Sequence, residues 1–94
     1  MQQLYEERGD LSSKSLDMKR AIDSMREELE AIDWYKQRAE ACADKNLKKI
    51  LLHNAKEEKE HAAMLLSWIQ QQDVEMEAAL KMYLSRAAGK IAEE

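Results

Sequence analysis

The chain has 94 residues, a formal net charge of −4, no proline, two glycines and only 5% aromatics, none of them phenylalanine. That leaves room for one small domain with a thin core, which is itself a reason to expect self-association. The acidic balance argues against a nucleic-acid partner, no apolar run approaches a membrane span, and the opening MQQLYEERGD lacks a signal-peptide core.

The bulk is Ala, Glu, Lys, Leu, Met and Gln with 36% charged residues, so the expected fold class is all-α. Residues 1–12 are polar, contain Gly9 and read as an N-terminal arm. A first helix is expected over about 13–43, with Ser12, Ser13 and Ser15 as candidate N-caps. Its apolar seam runs Met18, Ile22, Met25, Leu29, Ile32 at steps of four, three, four and three, and Ala39 and Ala43 continue the register. The lone Cys42 near its end has no internal disulfide partner; it reads as a packing residue in a reduced, cytoplasmic setting.

Asp44 is a good N-cap for a second helix over about 45–72, and so short a connection implies an antiparallel two-helix hairpin. The second seam is unbroken: Leu47, Leu51, Asn54, Glu58, His61, Leu65, Trp68, Gln72. His53 lies off that seam and reads as a surface histidine. Asp73 caps a third helix over about 74–90, lined by Met76, Leu80, Tyr83, Leu84, Ala87 and Ile91, with Gly89 near its end.

Three polar residues interrupt the second seam, and they carry the functional argument. A carboxylate taken out of water is costly unless it is compensated, so Glu58 needs a reason to stand between leucines. His61 follows it by three residues, which places the two side chains next to each other. A surface ion pair is one reading of such a pair. The other is metal ligation, because Glu-x-x-His projecting into a bundle is the ligand unit of ferritin-like di-metal carboxylate sites. Such sites also need a lone glutamate from a neighbouring helix, and Glu28 stands beside the first seam. The chain thus holds half a ligand set and half a bundle. A two-fold dimer would join two copies of Glu28, Glu58 and His61 in a ferritin-like four-helix bundle. On this reading residues 1–94 are a single half-bundle domain.

At these residues the sequence resembles the encapsulated ferritins. EELEAIDWY (Glu27 to Tyr35) and HNAKEEKEHAAM (His53 to Met64) look like that family's two signature segments, and the likeness extends from about Ile22 to Tyr83. The resemblance implies a hairpin with a splayed C-terminal helix, whose dimers carry a di-iron ferroxidase site, two ions per dimer interface. It further implies a ring-shaped decamer housed within a shell of encapsulin in the cytoplasm. Matching position by position, Glu28, Glu58 and His61 would be the iron ligands, with Tyr35 hydrogen-bonded beside them. Glu27, Glu30 and Trp34 would match an acidic site on the family's outer path for metal; read from spacing alone, they are a solvated acidic face. The family's further C-terminal targeting peptide has no counterpart after KIAEE.

The expected function is therefore oxidation of iron(II) by dioxygen for iron storage. Two alternatives stand beside it. One is a helical oligomerisation module in which Asn54, Glu58 and His61 set register. The other is a different ferritin-like di-metal oxidase, which its substrate would distinguish.

Overall fold

The structure is a computed structural model that describes residues 4–93; positions 1–3 of the expected arm, and Glu94, lie outside the described residues. It is all-helical, with no strand among the described residues. A 3₁₀ turn at Arg8–Asp10 precedes helix α1 (Ser13–Ala41), α2 (Lys45–Gln72) and α3 (Val74–Tyr83), and a last 3₁₀ turn spans Ala88–Lys90.

Each helix starts on a side-chain cap. The Ser12 hydroxyl accepts from Ser15 N at 3.0 Å, Asp44 Oδ1 from Leu47 N at 2.8 Å, and Asp73 Oδ1 from Met76 N at 3.0 Å. These oxygens satisfy amides that have no partner within the helix. Only Cys42 to Asp44 separate α1 from α2, so the chain reverses at once and the two long helices pack side by side. Asp73 serves as both the end of α2 and the cap of α3, which leaves α3 packed on α2 alone. Replacing Asp73 by Ala is expected to cost about 1 kcal/mol, some 4–8 °C in melting temperature for a domain of this size. Circular dichroism on heating checks it; an unchanged melt would mean that α3 adds nothing to the cooperative unit.

The hairpin interior differs from the expected seams. Its buried residues are Ala21 and Ala39 of α1 and Ala55, Ala62 and Ile69 of α2. The last three are spaced by seven, one line along the inner face of α2, and alanines there let two helices approach closely. The larger residues stand to either side of this line. Leu47 and Trp68, expected in the core, are 47% and 37% exposed, and Ile22 and Leu29 are exposed too. Ala43 falls in the connection rather than on α1.

The third helix is also shorter than the expected 74–90, and it ends at Tyr83 rather than near Gly89. Ser85 turns its hydroxyl back onto the carbonyls of Lys81 and Met82, at 3.3 and 3.2 Å. Arg86 lies 4.3 Å over the Tyr83 ring and donates to the Ile91 carbonyl at 3.2 Å. Side chains thus take up carbonyls at the helix end, and the chain leaves the helix through an extended Ala87.

Candidate metal centre

Two helices contribute to one polar cluster. On α2, Glu58 and His61 are three residues apart and share a face. On α1, Glu28 lies to one side of the Ala21–Ala39 line, close enough to the packing surface to meet them. His61 Nδ1 is 3.4 Å from Glu28 Oε2 and 3.6 Å from Glu58 Oε2. The side chains are 23% (Glu28), 22% (Glu58) and 43% (His61) exposed, so the two carboxylates are mostly covered and the imidazole is reached by solvent.

One atom in it is out of balance. Glu28 Oε2 is buried and accepts no hydrogen bond, since the His61 approach, though close, does not make one. A buried carboxylate oxygen without a donor costs free energy that folding alone does not return. A cation bound there would supply what is missing. One donor atom from each of the three residues lies within 4.8 Å of the others. Donors on a single divalent ion with bonds of about 2.0–2.2 Å stand no more than ~4.4 Å apart, so small rotamer changes close the difference. Two carboxylates and an imidazole suit a transition metal such as iron, which accepts both oxygen and nitrogen ligands. Among the described residues no other group of three or more such donors converges.

The remaining expected residues fall elsewhere. Tyr35 is half-buried, two turns along α1 from Glu28, and it makes no hydrogen bond among the described residues, so within one chain it does not join the cluster. Glu27, Glu30 and Trp34 are exposed on the outer face of α1, where no third donor among the described residues meets the two carboxylates. His53 is exposed and paired to Glu57 at 3.0 Å. Cys42 is half-exposed, its thiol 3.5 Å from the Asp44 carbonyl.

One feature of this region is absent from the expectations raised by the sequence. The Arg38 guanidinium lies 6.0 Å from the centre of the Trp34 ring and 5.6 Å from that of Tyr35. The signal for it is a pair of spacings, four and three along one helix, which bring an arginine over both rings.

A family model described as EncFtn-like matches residues 3–87. The chain is 49% identical over 74 residues to the "Encapsulated ferritin-like protein" of Rhodospirillum rubrum, a match that covers 79% of this chain and 53% of that protein. The chain therefore spans about half the length of that relative. It is 44% identical over 82 residues to the "Ferritin-like protein" of Thermotoga maritima, covering 87% of this chain and 72% of the other. The crystal structure of protein ne0167 from Nitrosomonas europaea aligns with a TM-score of 0.87 and 53% identity, over 92% of this chain and 94% of that one.

Proposed function

The chain belongs to the EncFtn-like family of encapsulated ferritin-like proteins, and from that premise we propose that it is a ferroxidase, with iron(II) as substrate and dioxygen as oxidant. A ferritin-like, iron-related function follows from the family; the reaction is the proposal. Two iron(II) ions give up one electron each, and those two electrons with two protons reduce dioxygen to hydrogen peroxide. Glu28, Glu58 and His61 bind the iron(II). Their carboxylates are hard, flexible donors that tolerate both oxidation states, and the imidazole fixes one side of the ion. The buried, undonated Glu28 Oε2 is the observation that carries this reading.

Among the described residues a single chain brings only three donors together, so the proposed site is shared by two chains related by a two-fold axis, with two iron ions between them. The surface supports this. Leu47, Ile50, Met64 and Trp68 are large, exposed and on the same flank of α2 as His61, a patch of the kind that marks an interface. Tyr35 would complete the surroundings of the site in the assembled protein.

The opposite flank of the hairpin carries a second apolar surface. Met18, Ile22, Met25 and Leu29 of α1 face Leu66 of α2 and Met76 of α3 across a groove of about 380 Å³. Two apolar surfaces on opposite flanks would let dimers link and close, as the proposed ring-shaped decamer requires. The family name points to an encapsulin shell as the partner, and the proposed location is inside that compartment in the cytoplasm. No helix among the described residues is long and apolar enough to cross a membrane.

The test is to add iron(II) to the metal-free protein in air and follow the formation of iron(III), with metal content measured on the recovered protein. No acceleration over buffer would end the proposal.

Glu27 and Glu30 take the role of an outer acidic site on the path of incoming iron(II), with Trp34 beside them. Charges outside a site act by steering, an effect that salt screens. The Glu27→Ala/Glu30→Ala variant is therefore expected to oxidise iron(II) several-fold more slowly at low salt, with its tightly bound metal unchanged. Stopped-flow rates and metal stoichiometry check this. If that variant binds no metal at all, the site lies on the outer face instead.

A further inference from the structure

Asn54 is the third polar residue in the seam of α2, and the cluster does not include it. It lies one turn before Glu58 and two turns before His61, with Leu51 and Leu65 bracketing the three along the same face. It is half-buried, and its carboxamide has no hydrogen-bond partner among the described residues. A leucine at that position would continue the seam, and the carboxamide, open to solvent in the single chain, would need a partner once the proposed pairing of two chains covers this face.

Helix geometry says where that partner is. Side chains on a helix lean toward its N-terminus, so the Glu58 carboxylate leans toward the turn that bears Asn54. The hairpin register agrees with this placement. Glu28 meets His61 across the antiparallel pair, and seven residues on along α1 and seven back along α2 bring Tyr35 level with Asn54. By this register Asn54 and Tyr35 are level with each other, nearer the hairpin turn than the carboxylates and imidazole. A carboxamide offers two N–H donors to a carboxylate, and no other side chain among the described residues donates a hydrogen bond to Glu58.

We propose that Asn54 is a positioning residue of the metal centre. Its amide donates to Glu58 when metal binds and holds that carboxylate in its ligating orientation. This rests on the metal-site reading above. Partners behind the ligands fix ligand orientation, and their loss commonly lowers metal affinity 10–100-fold.

Cobalt(II) is the probe, because it occupies such donor sets without turning over and reports its coordination in its visible absorption. Full-length protein, N54L and N54Q are titrated with cobalt(II) while native mass is recorded. N54L, close to Asn in size but without donors, is expected to bind 10–100-fold more weakly and with an altered visible spectrum, its metal-free oligomeric state unchanged. N54Q keeps the donors and is expected to recover part of the affinity and the parent spectrum. N54L with parent affinity and spectrum overturns the proposal. So does N54L that loses its metal-free association, which would make Asn54 a register device. Parent protein that binds no cobalt(II) sinks the metal centre, and Asn54's role with it; equal binding by parent and N54L sinks only the latter.

Discussion

The Glu58→Ala/His61→Ala variant is expected to oxidise iron(II) no faster than buffer, while its metal-free form unfolds at the same temperature as the parent or a higher one. The two halves of this result have one cause. Glu58 and His61 supply two of the three donors that converge among the described residues, so Glu28 alone is left on each chain, too few donors to hold the ion. In the metal-free protein the same groups are a liability. Two mostly desolvated carboxylates share one cluster, and one of their oxygens is buried without a donor. Removing Glu58 takes away one like-charged neighbour, and two alanines raise helix propensity in α2. The gain is about 1 kcal/mol at most, some 4–8 °C in melting temperature.

His61→Ala alone should behave differently. It removes the imidazole that stands between the two carboxylates and leaves them facing each other, so its metal-free form is expected to melt below the double variant. The non-additivity is expected because the three groups are in contact. Calorimetry of the metal-free proteins beside an aerobic oxidation assay reads all of this. Retained oxidation would end the assignment of these residues. A double variant that melts well below the parent would favour the oligomerisation-module reading, in which the same residues set pairing.

The amino-acid sequence makes part of this architecture legible. The caps Asp44 and Asp73 are short acceptor side chains placed before helical runs, and their effect is local, so spacing is enough to find them. Glu58 and His61 are legible because a charge within an apolar repeat stands out and a three-residue step fixes their proximity. The packing line is not. Alanine has almost no hydropathy contrast, so Ala55 and Ala62 do not stand out beside Leu51 and Leu65, although the alanines are the ones the hairpin buries. Leucine and methionine positions mark instead the surfaces left outside the hairpin. The end of α3 is illegible for another reason: Gly89 has the character of a stop, whereas the Ser85 hydroxyl and the Arg86–Tyr83 stack end the helix six residues earlier. Glu28 is visible in the sequence only as a neighbour of its seam, and its undonated oxygen depends on how α1 sits against α2.

Association and metal binding are expected to be one equilibrium. If each iron site draws donors from two chains, metal binds the dimer and not the separated chain, and mass action then drives pairing. A ligand present at one hundred times its dissociation constant stabilises the state that binds it by about 2.7 kcal/mol, a factor of about 100. Two ions per interface raise the effect toward roughly 10⁴-fold in the dimer dissociation constant, on the same mass-action basis. The apolar patch around Leu47, Ile50, Met64 and Trp68 gives a metal-independent contribution to pairing, so the metal-free protein should associate weakly rather than not at all. Sedimentation over a dilution series, metal-free and with iron(II) under anaerobic conditions, measures the shift. Glu58→Ala/His61→Ala is the control, and its association should not respond to metal. A response that persists in that variant would place the effect elsewhere, for which Glu27 and Glu30 are the first candidates. A parent chain that takes up iron(II) while keeping the mass of one chain would mean that three donors suffice, and the shared site would have to be given up.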